Sequence, residues 1–525
     1  MTYRAMLLAG SLVLLLFSCG NGDNKPPTVL SFEPANGSSI NISRPLLVKF
    51  SEPISETSLR NIKAKYDGHE SSFGYDLTAF NQDPTTLKIG MFTPTSYPAT
   101  LRIDLSGLTD LAGNKLAPPN EWTLTVPEWL QLNFDSKSSS EADYHRSARM
   151  AAGYGGAVYV AYYSTIPEPT DRNTNAYTTF VYRLTEDGVE KLGSYLFDPG
   201  CDPADASCTD QSGTGASDPS IAIDTSGRPV VASAIYNYDS SGNVTSNGIG
   251  VSHWEGDRWT RLPDPANFPS GANKHAGHPH LTAGDQGELA LTYEVNDSGI
   301  VHAYFAYSQT GSSWVGGATP LNHDTGSHAY PIEPAFSPDG SKIAITWLEV
   351  SNPTNIMLRY CDTQANCGGA DTVTGSSDYI DLFRTRYRDD GSLLILYALD
   401  NGSGRYDLIV DHYKGLSLGK TTVTSTTSWI RSADLYANAY LIGEDKMLVA
   451  WSEDGDPDVL HFAVYDGSNW NEYTPPYTST EDVYLYNVQV DINEIGQAIV
   501  HWGGESAGIG TTRYYDFTTL LNPSP

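Results

Sequence analysis

Positive charge is scarce in this chain of 525 residues: 31 lysines and arginines stand against 62 aspartates and glutamates, a net charge of −31. A phosphate backbone would be repelled, which excludes DNA and RNA binding. Cysteine is sparse too, at five, far short of a disulfide-built scaffold. Beyond residue 19 no segment is apolar for long enough to cross a bilayer as a helix. Signatures that carry chemistry are also missing. There is no HExxH, no phosphate-binding loop, no nucleophile elbow and no catalytic cysteine–histidine pairing.

What the chain has in quantity is tyrosine, 33 residues, and glycine, 48. With few helical patterns, that composition reads as all-β and rich in turns. One short apolar signal, typified by LLILYA at Leu393–Ala398, returns through the last three quarters. It reads VYVAY to Tyr162, PVVAS to Ser233, LALTY to Tyr293, IAITW to Trp347, LLILY to Tyr397, MLVAW to Trp451 and AIVHW to Trp502, at separations of 71, 60, 54, 50, 54 and 51 residues. A period settling near fifty marks an array or a propeller. Within the sixth unit, NAYLIGED (438–445), KMLVAWSEDGD, DVLHFAVYDGSNW and NEYTPPY give four short strands, the content of one propeller blade. Seven anchors therefore predict a seven-bladed β-propeller over residues 128–525. The anchor strand is apolar on both faces, as burial between neighbouring sheets requires. Turns bearing Trp259, Trp314 and Trp470 are expected to cover the sheet ends. Ahead of the first blade, WLQLNF (Trp129–Phe134) is a strand without a local partner, and it is expected to join the last blade and hide an edge.

The N-terminal fifth is different. Residues 1–19 read as a processing segment, with Arg4 as the positive flank and an apolar run, Ala5–Phe17, too short to span a bilayer. Leu16-Phe17-Ser18-Cys19 resembles the bacterial lipobox. That resemblance implies lipidation of Cys19, palmitate included, and membrane anchoring by the acyl chains; Gly20 after the cysteine implies the outer membrane, on its periplasmic or cell-surface face. A plain secretory signal cut near Ser18 is the alternative. Residues 20–25 are a polar tether, and residues 26–127 alternate as short strands between turns. There, Pro34-Ala35-Asn36-Gly37, Phe50-Ser51-Glu52-Pro53-Ile54 and Asp110-Leu111-Ala112-Gly113-Asn114-Lys115-Leu116 resemble the bacterial Ig-like domains of exported proteins. This implies a β-sandwich used as a spacer, with Asp110 and Asn114 ordering a turn. The fold class is thus all-β, an Ig-like sandwich followed by a seven-bladed propeller. The remaining cysteines form two local pairs, Cys201 with Cys208 and Cys361 with Cys367. In an exported chain these are expected to be disulfides, with free thiols or a metal site as the alternatives.

Function is sought at the channel mouth, where the innermost strands begin. Residues thirteen to fifteen before each anchor give Ser147, Asp218, His278, Glu333, Arg384, Tyr436 or Asn438, and Asn487 as candidate rim contacts for a sugar, a peptide or an ion. Two histidine clusters, His275, His278 and His280, and His323 and His328, are candidate metal ligands. No cofactor is expected beyond a structural calcium or zinc ion. Arg149, Arg384, Arg386 and Arg431 could instead form a sialidase-like cluster, since guanidinium groups grip carboxylates. Three convergent arginines beside a tyrosine and a carboxylate would favour such an enzyme. The turns DGSNW and GSSW, however, only partly resemble the sialidase Asp-box. The expected function is a surface lipoprotein whose propeller binds or adheres to a protein or glycan, with a sialidase-like or other sugar-processing enzyme as the alternative.

Overall fold

The computed structural model describes residues 23–521 except 41–45, 92–97, 133–145, 154–156, 166–176, 186–187, 194–213, 239–243, 266–273, 318, 325, 352–353, 377–378, 401, 438–445, 456, 474–483, 493–497 and 509–510. Cys19, Cys201 and Cys208 lie outside the described residues. The chain divides into two compact units, one ending at Pro127 and one running Glu128–Ser524. In the first unit, two four-stranded antiparallel sheets carry the strand pattern of the sequence. Trp122 is fully buried and lies on Phe32, ring centroids 4.9 Å apart. Asn36 accepts a hydrogen bond from the Thr123 amide, and Gly37 takes φ +86° to make that turn, a conformation a β-carbon would penalise. Asp110 accepts from both the amide and the side chain of Asn114, at 2.8 Å each.

Seven four-stranded sheets make the second unit. Their innermost strands are Arg146–Ala152, Thr214–Ile223, Lys274–Ala283, His328–Phe336, Tyr379–Tyr387, Ile430–Tyr436 and Tyr484–Ile492. Each packs beside the next, and the seventh packs beside the first. This is a closed seven-bladed β-propeller. Trp129–Leu132 completes the last blade, pairing antiparallel with Thr511–Leu521. The strand ahead of the repeats thus covers the edge that the final blade would otherwise expose. The innermost strand of the sixth blade is Ile430–Tyr436; NAYLIGED lies outside the described residues. More residues separate this strand from Met447–Glu453 than separate the corresponding strands of the other blades.

The core is layered, one apolar cluster at each of the seven blade interfaces. LLILYA explains why its strand is apolar throughout. Leu394, Leu396 and Ala398 face the sixth blade while Leu393, Ile395 and Tyr397 face the fourth, because successive side chains of a strand point to opposite faces. The turn tryptophans do more than cover ends. Trp259 donates to the Leu192 carbonyl (2.8 Å) and Trp314 to the Pro263 carbonyl (2.7 Å), each in the preceding blade. Cys361 and Cys367 form a disulfide. Leu396 is fully buried and Leu418 is 58 % exposed on an outer strand. Urea denaturation of Leu396→Ala is expected to show a loss of about 2–5 kcal/mol, and of Leu418→Ala a change within about 0.5 kcal/mol.

Candidate functional site

Every innermost strand slips register against its neighbour at the same point, near its beginning. Bulges re-aim the side chains beside them. At three of them a non-glycine residue adopts positive φ: Asp218 at 47°, His278 at 46° and Asn487 at 52°. These residue types tolerate that region best. Below the bulges the register recovers, and one residue per blade pairs with the residue before the last residue of the anchor. They are Arg149, Ser220, His280, Glu333, Arg384, Asp434 and Gln489, the middle ring. Two residues further lies a lower ring of Ala151, Ala222, Thr282, Ala335, Arg386, Tyr436 and Asp491.

The spacing used on the sequence mixed these levels. Asp218, His278 and Asn487 sit at the bulges, Glu333 and Arg384 in the middle ring, and Tyr436 in the lower one. The middle ring stands thirteen residues before the anchor in five blades, fourteen in the fourth and seventeen in the sixth, so a window of thirteen to fifteen took in the bulge level as well, and only in the fourth and sixth did a longer turn shift the ring itself. Ser147 falls at the first bulge, where its side chain lies outside the described residues, as does Asn438.

Middle-ring side chains fasten six of the seven blades to the next. Ser220 accepts from the Leu281 amide (2.9 Å), Asp434 from Val490 (3.1 Å) and Gln489 from Met150 (2.6 Å). One level down, Asp491 accepts from Ala152 (2.8 Å). An innermost strand is a sheet edge, so these amides need partners from outside their own sheet. At Glu333 and Arg384 the fastening is ionic. Glu333, 5 % exposed, meets Arg384 at 3.2 Å, Arg386 at 3.9 Å and His280 Nδ1 at 3.4 Å. Asp434 meets Arg384 at 3.6 Å and Arg386 at 3.4 Å. Burial, then the nearby Arg149 and Arg384, pushes the His280 imidazole well below its usual pKa, leaving it neutral at pH 7. Burial lowers Arg386, but Asp434 and Glu333 outweigh it and hold the guanidinium above its ordinary value.

Arg149 is different. No hydrogen bond or ion pair joins its guanidinium to another described residue. Burial and the repulsion of Arg384 push its pKa down to about 10.

Beneath the middle ring lies a cavity of about 940 Å³, lined by Arg149, His280, Glu333, Arg384, Arg386, Asp434 and their neighbours. It opens toward the turns that leave the innermost strands, among them Gly284–Gln286, Ser337–Gly340 and Asp389. This is the end opposite to the one favoured by the sequence. Small lower-ring residues on four consecutive blades, Ala151, Ala222, Thr282 and Ala335, make the room. Asp218, His278 and Asn487 do not line it. At their end Glu294, on the second strand of the third blade, has its pKa pushed up to about 8 by burial and then by Asp218; sequence reasoning missed it.

Of the four arginines proposed as a cluster, three line the cavity. Arg431 instead pairs with Asp454 and Asp458 and lies over Trp429. The histidines do not converge. His275 and His323 are exposed, and His328 accepts from the Val301 amide. Among the described residues, only Asp23, Glu52 and Asp110 bring three candidate ligand atoms within 4.8 Å of one another. Burial, then Asp23 and Asp110, raises the Glu52 pKa. That trio is the set that could hold a cation.

Residues 23–126 match the family described as bacterial Ig-like domain. A search of curated protein sequences finds no match for the chain. Among solved structures, a Dyadobacter fermentans protein of unknown function is similar at 9 % identity and TM-score 0.43, over 76 % of this chain and 100 % of its own. An ulvan lyase is similar at 13 % identity and TM-score 0.44, over 74 % and 95 %. A Hadza microbial sialidase is similar at 12 % and 0.40, over 70 % and 74 %. The carboxylate trio belongs to the Ig-like domain; the ring and its cavity belong to the propeller.

Glu294 gives a pH signature. Its folded pKa of about 8 lies above the ordinary 4.5, so its contribution to stability is full below about pH 4.5 and is lost as pH rises through about 8. Glu294→Gln should remove that loss. Thermal denaturation from pH 5 to 9 should show the variant gaining on the parent chain with increasing pH.

Proposed function

We propose that this chain is an envelope lipoprotein, anchored through Cys19 in the outer membrane, whose propeller is a ligand-binding module fed from the channel. The Ig-like domain serves as its spacer. The observation that carries the reading is the chemistry of the middle ring. Ser220 and Gln489 fasten their blades with neutral side chains, so a ring can be closed without ions. Burying arginines and carboxylates costs desolvation that their attraction barely offsets. Charge at Arg149, Arg384, Glu333 and Asp434 therefore has a use beyond closure. A cavity of this size, with a few convergent polar groups, suits a small ligand or the end of a glycan chain.

A sugar-processing enzyme is the second reading, and Glu294 favours it. A carboxyl that keeps its proton at neutral pH beside another carboxylate is the arrangement acid–base catalysis uses. New reducing ends or unsaturated sugars released from oligosaccharides by the purified chain would support it, and their absence would leave the binding module.

A glycan and protein array probed with the chain from Asn21 should find a ligand. Thr282→Trp, which fills the cavity, should weaken that binding at least tenfold without lowering the melting temperature. Unchanged affinity would place the site elsewhere. Cys19→Ser should abolish incorporation of labelled palmitate and release the protein from membranes; persistent membrane association would refute the lipid anchor.

A further inference from the structure

We infer that the ligand of this cavity is an acidic saccharide, and that its carboxylate docks on Arg149. The inference rests on the reading that the cavity binds a ligand, and it names the class.

Three guanidinium groups line the cavity, but two are already answered. Arg384 and Arg386 share Glu333 and Asp434, at 3.2 to 3.9 Å. Neutral His280 adds no charge. Arg149 is half-buried, lines the cavity, and is joined to no described residue by a hydrogen bond or ion pair. A buried charge without a partner is costly, and its lowered pKa shows that its surroundings disfavour the cation. A carboxylate entering the cavity would reverse that and could be held by two parallel N–H···O bonds.

The mouth narrows the class further. Asp285, Glu288, Asp339 and Asp389 line the cavity near the turns, and Asp339 stays ionised, its pKa held at about 2 by Ser337 and Ser341. An acidic collar repels a ligand with many negative charges. It suits one whose outer part is rich in hydroxyl donors, which carboxylates accept. A single carboxylate for Arg149 and hydroxyls for the collar describe a sugar acid better than an acidic peptide.

The charge at position 149 should also cost stability. Arg149→Gln removes a half-buried cation that has no described partner and touches none of the described hydrogen bonds between blades, so its melting temperature should rise by about 2 °C or more.

The test uses the chain from Asn21, calorimetry, and three probes: an oligosaccharide bearing one uronic acid, the same oligosaccharide with that carboxyl reduced to an alcohol, and poly-glutamate. The acid form should bind at least tenfold more tightly than the reduced form. Arg149→Gln should erase that preference, and Arg149→Lys should keep part of it, because a point charge remains while the bidentate geometry is lost. Equal binding of acid and reduced forms, or a preference surviving in Arg149→Gln, would overturn the inference while leaving the binding module intact. Tighter binding of poly-glutamate would overturn the saccharide class. If none of the probes binds, and the array is also silent, the binding module itself falls.

Discussion

Everything in the propeller depends on how the inner edges of its sheets are satisfied. Seven innermost strands line the channel, and each presents amides that its own sheet cannot pair. The solution is a side chain reaching from one blade to the next: Ser220 to Leu281, Asp434 to Val490 and Gln489 to Met150. The last of these joins the seventh blade to the first, so the ring is closed at its centre by a hydrogen bond and at its periphery by the pairing of Trp129–Leu132. Apolar layers between the sheets supply the bulk of the stabilisation, but they are non-directional. Fastening at the edge sets the register of each blade against the next.

That division explains what could be read from the sequence. The anchors were legible because both faces of each second strand are buried, which leaves a run such as Leu393–Ala398 with no polar residue to obscure it. The ring-closing strand was legible because Trp129–Leu132 had no partner nearby in sequence. The functional levels were not. Glu333 and Arg384 were found as candidates, yet assigned to the rim, since a window of thirteen to fifteen residues before the anchor spans both the bulge and the ring below it. One local signal separates the levels in the second and third blades. Proline follows the bulge position in three blades, at Pro219, Pro279 and Pro331, and a proline inside a strand marks a bulge. Aligning on Pro219 and Pro279 places Ser220 and His280 in the ring below the bulge, whereas in the fourth blade the residue after Pro331 is Ile332, one short of Glu333.

Glu294 and Arg149 illustrate a deeper limit. Each follows from its three-dimensional surroundings, partial burial near a like charge with no described partner of opposite sign in contact, and no pattern along the chain records that. Arg386 has similar residues nearby in sequence, and its pKa moves the other way because Asp434 and Glu333 face it. Residue type and spacing identify which side chains can bear charge. Only packing decides which of those charges remains available.

The chain's acidity bears on how such a charge can be used. With a net charge of −31, the surface slows the approach of an anion at low ionic strength, but beyond about 8 Å in physiological salt that repulsion is largely screened. Inside the cavity screening fails, and the local pairings govern. Arg149 therefore adds little to the rate at which an acidic ligand arrives. In the inferred complex its effect falls on how long the ligand stays, since leaving would restore a guanidinium with no described partner.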